Sequence, residues 1–272
     1  MTEIITLGCG GGRHQTVDQT FKTGGFRIQD EDTKLHVDPG PGALLLANKF
    51  GLDPGKLDAV LVSHAHPDHY NDAEVLIGAM KNSSGKNGKI IGSGTVLEGQ
   101  EGDNPVISNY HKEKVGESVV LKPEERSSVK DVQVEATPAK HTDPTTIGFK
   151  IKTKNHKIGY TSDTELFEDL YDKFSDVDVL IGNVTRPWDK RIDHHLCSED
   201  FSQMLKEIKP DLGIMLHLGM LFLRNSPKDE VARIEDKTGI RTIPGFAGTK
   251  ISISKNVKVR GMREEESYQK FY

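Results

Sequence analysis

Thiols are scarce in this chain: Cys9 and Cys197 are the only cysteines among 272 residues. Two cysteines are too few for a disulfide framework, and these stand at no metal-binding spacing. Long apolar runs are missing as well. None approaches the roughly 18 residues of a membrane span, and the longest, Gly42-Ala43-Leu44-Leu45-Leu46-Ala47, reads as a buried helix face. The chain opens Met1-Thr2-Glu3-Ile4-Ile5, without the basic start and long apolar core of a secretory signal. The compartment expected from these absences is a reducing cytoplasm. An excess of positive charge is also lacking, since 36 basic residues face 41 acidic ones for a net charge of −5. Proteins built to coat nucleic acid gain affinity by neutralising phosphates, so the charge count gives that function no support while leaving room for a local basic groove. The lysines fall in mixtures such as His111-Lys112-Glu113-Lys114, which read as solvated surface.

No composition break, proline-rich linker or repeat divides the chain, and a single domain over 1–272 of this length buries a generous core. Strands are predicted over 3–7 and 26–38 around a glycine-rich turn, then near 118–121, 132–136, 147–152, 157–161, 178–182 and 212–216. Pro41 starts a helix that Gly51 closes. Asn71 or Asp72 caps another, with Ala73, Leu76, Ile77 and Met80 inward. A helix begins near Leu166 with Leu170 and Phe174 on one face. Ser198 caps a fourth, with Phe201, Met204, Leu205 and Ile208 inward, and Ser226-Pro227 opens a fifth that Gly239 ends. Strands followed by helices, twice over, fit an α/β fold of two sheets packed face to face with helices outside each.

What is present in concentration is histidine, at Ser63-His64-Ala65-His66-Pro67-Asp68-His69. Three imidazoles and a carboxylate follow directly on the apolar strand Ala59-Val60-Leu61-Val62. His64 and His66 are two apart, so a chain leaving a strand points both the same way. Asp68 and His69 come round on the next turn. Imidazole and carboxylate suit a borderline divalent ion such as zinc when no thiolate is at hand. His141, Asp163 and His217 each stand at the end of a short apolar segment. Any one of these alone is commonly a satisfied polar residue at a strand end; in the order His, Asp, His behind the cluster they read together as its missing ligands.

With these residues in place the chain resembles the metallo-β-lactamase-fold hydrolases, in the branch that bears the full His-x-His-x-Asp-His motif and an aspartate bridge. The likeness runs from near residue 4 to near residue 254. It implies a four-layer αββα sandwich of two mixed sheets. It implies that His64, His66 and His141 hold one divalent ion, that Asp68, His69 and His217 hold a second, and that Asp163 bridges the two. Asp38, in His36-Val37-Asp38-Pro39-Gly40, matches the motif whose aspartate buttresses the metal loop from behind. Zinc is the ion expected, with manganese, iron or nickel accepted by the same donors. A water shared by two such ions loses its proton near neutral pH, and Asp68 would hold that proton on its free oxygen.

His195, in Asp193-His194-His195-Leu196-Cys197-Ser198, stands where the phosphodiesterase members carry a histidine that protonates the departing alkoxide. The other reading of His195 is a helix cap or a partner for Asp193, and His194 stays unassigned. From His141 to Asp163 there are 22 positions, enough for one hairpin. The transfer-RNA 3′-processing nucleases extrude a long arm in this interval, and their His-Glu-Ala-Thr segment is replaced by Ile181-Gly182-Asn183-Val184-Thr185-Arg186-Pro187. The short interval is more similar to the cyclic-phosphate phosphodiesterases. The expectation is a dinuclear metal hydrolase cleaving a small or cyclic phosphodiester. Its rivals are a lactone, thioester or lactam hydrolase with the same metals, a nuclease in RNA or DNA processing, and a binding module without activity.

Two arginines are candidates for the substrate's anion. Arg13 follows Gly8-Cys9-Gly10-Gly11-Gly12, a turn whose glycines either admit backbone amides to a phosphate or serve a tight hairpin. The chain beyond it reads as polar and running on to another strand. Arg186 lies past strand 178–182. The polar stretch 82–117, with Tyr110-His111 its one amphipathic pair, fits a lid over the metals, an oligomer contact or plain surface. The tail 260–272 ends in Tyr268, Phe271 and Tyr272, which fit docking on the protein or on a neighbour.

Overall fold

The computed structural model describes residues 1–80, 88–100, 102–254 and 257–262. The aromatics of the C-terminal tail, and the first part of 82–117, lie outside the described residues. The strands, in chain order, are β1 (Thr2–Thr6), β2 (Phe26–Asp30), β3 (Thr33–Val37), β4 (Ala59–Val62), β5 (Lys89–Gly92), β6 (Glu117–Val120), β7 (Arg126–Val129), β8 (Val132–Pro138), β9 (Ile147–Lys152), β10 (Lys157–Tyr160), β11 (Val179–Arg186), β12 (Leu196–Cys197), β13 (Leu212–Leu216), β14 (Thr242–Pro244), β15 (Thr249–Ile253) and β16 (Val257–Gly261). One sheet runs β16-β15-β1-β2-β3-β4-β5-β6; the other runs β14-β13-β11-β10-β9-β8-β7, with β12 against β11. In each, an antiparallel stretch passes into a parallel one, at β3–β4 in the first sheet and at β10–β11 in the second.

β4 shows why the two sheets stack. Ala59 and Leu61 face the core between the sheets, while Val60 and Val62 face a second apolar cluster with Ala73, Leu76 and Ile77. A strand buried on both faces reads as an unbroken apolar run, as parallel strands do. The inter-sheet core joins Phe26, Leu35 and Val37 of the first sheet to Phe149, Ile151 and Ile158 of the second. The helices are α1 (Gly12–Asp18), α2 (Ala43–Lys49), α3 (Pro67–Tyr70), α4 (Ala73–Ala79), α5 (Gly94–Leu97), α6 (Asn109–Lys112), α7 (Leu170–Lys173), α8 (Ser198–Ile208) and α9 (Pro227–Thr238). α2, α4 and α5 cover the outer face of the first sheet, and α8 and α9 that of the second. The architecture is the αββα sandwich. Among the described residues no helix is long and apolar enough to cross a membrane.

Several local expectations are corrected. The glycine-rich turn opens α1 instead of running on to a strand, with Gly11 extended at its start and Gly12 at φ 76°. α8 is capped by Cys197, not Ser198: the Asp200 carboxylate accepts the Cys197 N–H at 3.0 Å and its thiol at 3.1 Å. The helix expected from Leu166 shrinks to the single turn of α7, whose first residue Leu170 and following residue Phe174 are buried. β7 and β14–β16 were not legible: β7 and β14 are short edge strands, and the alternation of Ile251 and Ile253 in β15 and of Val257 and Val259 in β16 runs over only five residues each.

The strand pairings give β1, β3 and β4 one direction in the first sheet and β8, β10, β11 and β13 one direction in the second, and the side-chain contacts between their ends put both sets on the same side of the sandwich. Loops at the carboxyl ends of strands are where open α/β sheets carry their sites. Asp38, the His64–His69 run, His141, Asp163 and His217 all lie on those loops.

Candidate metal centre

Pro67 sits at the first helical position of α3, where its missing N–H costs nothing. That one turn carries Asp68 and His69 back over the end of β4. His64 Nε2 then lies 3.0 Å from His66 Nδ1, which lies 3.1 Å from His141 Nε2. With Asp163 these three rings form a group whose donor atoms are all within 4.8 Å of one another. Asp68, His69 and His217 form a second such group, with Asp68 Oδ2 3.0 Å from His217 Nε2 and 3.6 Å from His69 Nε2. Asp163 Oδ2 stands between the two. It is 3.9 Å from His64 Nε2, 3.7 Å from His141 Nε2, 3.6 Å from His69 Nε2 and 3.1 Å from His217 Nε2.

The opposite nitrogens of these rings are held from behind. His69 Nδ1–H donates to Asp38 Oδ2 at 2.8 Å, and His141 Nδ1–H donates to the His194 carbonyl at 3.0 Å. Ser63 gives its hydroxyl proton to Asp38 Oδ2 at 2.6 Å, so its oxygen accepts from His64 Nδ1–H at 3.0 Å. His217 Nδ1 pairs with Thr185 Oγ1 at 2.8 Å. These partners select the tautomers whose bare Nε2 lone pairs face inward. Lone pairs and carboxylate oxygens converge on the same space, and His69 Nε2 is buried with no hydrogen-bond partner among the described residues. This donor set fits divalent cations of the borderline class. His194, unassigned from sequence, has its place here through its carbonyl and a φ of 62°.

Protons compete for the same lone pairs. Burial opposes a charge on His217, yet Asp163 and Asp68 raise its pKa to about 9. Burial likewise opposes a charge on His69, and the carboxylates of Asp163, Asp68 and Asp38 together lift it well above the usual histidine value. Burial dominates at His141, which falls to about 4, and at His64, which is held well below its ordinary value. Asp68 and Asp163 are desolvated too, but the rings beside them keep both below the usual carboxylate range. A cation requires the imidazoles neutral, so its binding must displace protons from His69 and His217.

Asp38 is a hub. It adopts φ 48°, and its oxygens accept from the Ser63 N–H at 2.7 Å and the Tyr160 hydroxyl at 2.6 Å besides Ser63 Oγ and His69. Asn183 Nδ2 donates to the Tyr160 oxygen at 3.0 Å and to Asp163 Oδ1 at 2.7 Å. The chain Asp38–Tyr160–Asn183–Asp163 thus ties the first sheet to the second through the site. Tyr160, Asn183 and Thr185 were missed in the sequence. Their one signal was polarity inside apolar strands, at Tyr160 of Lys157–Tyr160 and Asn183 of Val179–Arg186.

The glycine-rich turn lies against the second ligand group. A Cβ on Gly11 would meet the His217 ring at 2.1 Å, so only glycine lets the turn approach this closely. The Gly12 N–H donates to Asp68 Oδ2 at 2.7 Å. α1 walls a cleft of about 400 Å³ whose lining includes Arg13, Val17, His66, Asp163, His195 and His217. His195 has its Nε2 3.6 Å from Asp163 Oδ2 and its Nδ1 3.1 Å from the Asp193 carbonyl. Arg13 is exposed on the rim. Arg186 closes β11 beside Cys197, outside the residues that line this cleft. Tyr110 and His111 lie on α6, where His111 pairs with Glu74 at 3.0 Å. From His141 to Asp163 the chain makes only the β9–β10 hairpin.

Comparison with known proteins agrees with the fold. The family profile described as "Beta-lactamase superfamily domain" matches residues 33–218. The uncharacterized protein MJ1374 of Methanocaldococcus jannaschii is 41% identical over 254 residues, spanning 92% of this chain and 95% of its own. The probable metallo-hydrolase YhfI of Bacillus subtilis is 26% identical over 223 residues, 79% of this chain and 86% of its own. The crystal structure of YhfI, a metallo-beta-lactamase fold protein, superposes with a TM-score of 0.74 at 21% identity, covering 92% of this chain and 98% of that one. A diphosphatase from the PhnP family superposes with a TM-score of 0.67 at 16% identity over 97% of this chain and all of its own, a likeness of fold. The chain belongs to the β-lactamase superfamily of metal-dependent hydrolases.

Proposed function

We propose that this protein is a phosphodiesterase acting on a small or cyclic phosphodiester, with two divalent ions, zinc foremost, held by His64, His66 and His141 on one side and by Asp68, His69 and His217 on the other, Asp163 between them. When bound, such ions supply a nucleophilic hydroxide near neutral pH and positive charge for the non-bridging oxygens of the phosphate. The observation that carries the choice of substrate is His195. Its Nδ1 is turned to the Asp193 carbonyl and its Nε2 faces Asp163 from inside the cleft. As the water oxygen bonds to phosphorus and the ester P–O bond breaks, His195 gives its Nε2 proton to the departing alkoxide. Burial, against the pull of Asp163, holds its pKa below the ordinary value, which makes the charged ring a stronger proton donor.

Asp68 has its Oδ2 engaged by Gly12 and His217, leaving Oδ1 to take the proton of the attacking water. Arg13 stands where it can meet a phosphate oxygen. A small substrate is favoured by the single hairpin between His141 and Asp163 and by the net charge of −5, which offers nothing to hold a folded RNA. The buried, unpaired Cys9 and Cys197 accord with a reducing compartment, and we place the protein in the cytoplasm.

The test is a panel of bis(p-nitrophenyl) phosphate, cyclic nucleotides, a lactone and a β-lactam on zinc-loaded protein, with His195→Ala beside the parent. Phosphodiester cleavage is expected to dominate and to fall by about 10²-fold or more in the variant for an alkoxide leaving group. Preference for the lactone, or equal activity in His195→Ala, would overturn the reading.

A further inference from the structure

A second cavity, of about 420 Å³, opens on the other side of His66. This is within the size range of small-molecule sites. Its walls include Gly99, Gln100, Asp103, Asn104 and Val106, within the polar stretch that the sequence left without a role, and 142–144. His66 borders both cavities.

The two lobes differ in chemistry. The α1 side holds Arg13 and His195, with Val17 exposed on its wall. The far side is lined by no lysine or arginine among the described residues, and by two carboxylates, Asp103 and Asp143. Asp143 is engaged within the protein. Its Oδ2 accepts the Ala65 N–H at 2.9 Å and the Thr95 hydroxyl at 2.5 Å, and its Oδ1 accepts the Thr145 N–H at 2.9 Å. It thereby fastens this wall to the loop between His64 and His66. Gln100, Asp103 and Asn104 are exposed residues of its lining, and their side chains make no hydrogen bond among the described residues.

If His195 protonates the departing oxygen, the leaving group must occupy the α1 side. The group that stays on phosphorus then has the far side to enter. We infer that the lobe beside His66, with Gln100, Asp103 and Asn104 on its wall, is the subsite for the retained ester group, and that it takes an uncharged group rich in hydroxyls or amides while turning away a second anion. This inference rests on the phosphodiesterase reading for its orientation. Gln and Asn side chains offer both donor and acceptor to a hydroxyl, whereas Asp103, with no lysine or arginine among the described lining residues, disfavours a carboxylate or another phosphate.

The experiment measures binding by calorimetry, on zinc-loaded protein, of three monoesters of one length: propyl phosphate, glycerol 3-phosphate and 3-phosphoglycerate. Glycerol 3-phosphate is expected to bind about tenfold tighter than propyl phosphate, the worth of two ordinary hydrogen bonds, and 3-phosphoglycerate weaker than either. The double variant Gln100→Ala/Asn104→Ala should erase the preference for glycerol. Asp103→Asn should restore 3-phosphoglycerate to the level of propyl phosphate. All three residues are exposed, and matched melting temperatures will show the variants folded. Equal binding of the three ligands, binding of none, or a preference that survives the double variant would overturn the subsite. Turnover of bis(p-nitrophenyl) phosphate in the same samples reads the phosphodiesterase assignment separately: turnover without the ligand ranking sinks only the subsite, and the ranking without turnover sinks only the reaction.

Discussion

Asp38→Asn tests how far the site depends on what stands behind it. The carboxylate takes four donors, the Ser63 N–H at 2.7 Å on Oδ1, and the Ser63 hydroxyl, the Tyr160 hydroxyl and His69 Nδ1–H at 2.6, 2.6 and 2.8 Å on Oδ2. An amide has one oxygen, so either orientation turns an NH2 group toward at least one donor. The less costly orientation keeps oxygen on the Oδ2 side and sets NH2 against the Ser63 N–H. Losing a hydrogen bond to a charged acceptor, in a site where the donor stays buried, costs about 2–3 kcal/mol. Ser63 opens the loop that carries His64, His66, Asp68 and His69, so the loss reaches the ligands directly. Groups that support metal ligands typically lower affinity by about 10–100-fold when removed, or roughly 1.4–2.7 kcal/mol. The assay is zinc titration of chelator-stripped protein against a chromophoric competitor, with circular dichroism and melting to establish that the variant is folded. Parental zinc affinity in a folded Asp38→Asn protein would refute the claim that Asp38 sets the positions of Ser63 and His69.

Three further outcomes follow from other contacts. Gly11→Ala puts a methyl group against the His217 ring, 2.1 Å from its carbons, and overpacking of this kind costs about 1–3 kcal/mol; both the melting temperature and zinc content should fall, and a variant unchanged in both would show that the turn does not need to sit so close. Asn183→Ala removes the donor to Asp163 Oδ1, with an expected loss of about tenfold in zinc affinity that the same titration would contradict if none were seen. His36 is fully buried, donates to the Gly24 carbonyl and accepts from Arg27 Nε, and burial with Arg27 nearby lowers its pKa to about 3. The unfolded chain protonates this ring near 6.5, so between about pH 6.5 and 3 the unfolded state binds a proton the native state refuses, and stability falls on acidification by about 1.4 kcal/mol per pH unit. Above pH 6.5 the ring contributes no pH dependence. Denaturant melts of His36→Asn at about pH 7 and about pH 5 should show a slope shallower by one such increment, and an identical slope would exclude His36 as a source.

The parts of the fold that were readable from the chain are those where one segment carries the pattern. The apolar runs of β4, β11 and β13, the one-sided face of α8, and the Ser226-Pro227 start and Gly239 end of α9 needed no neighbour to be recognised. The helix α1 was not legible, because Gly12-Arg13-His14-Gln15-Thr16-Val17-Asp18 has no apolar stripe; it is settled by its contacts, among them the buried Gln15 side chain accepting the Phe21 N–H. Cys197 as a cap escaped notice because a thiol is a weak hydrogen-bonding group, and only the Asp200 carboxylate makes it one.

The candidate site divides along the same line. Spacing alone determined the local part: a strand, two imidazoles on one face, and a proline turn that brings Asp68 and His69 round within six residues. It also determined that His141, Asp163 and His217 stand at strand ends, since each closes an apolar run. Only the stacking of two sheets decided that these ends meet, that Asp163 Oδ2 comes within 3.9 Å of five ring nitrogens from four segments, and that Tyr160 and Asn183 of one sheet hold Asp38 of the other. The reason is physical. Ligand type and local direction are properties of the residue and its backbone, whereas the tautomer, protonation and reach of a buried imidazole belong to whatever the rest of the fold places behind it.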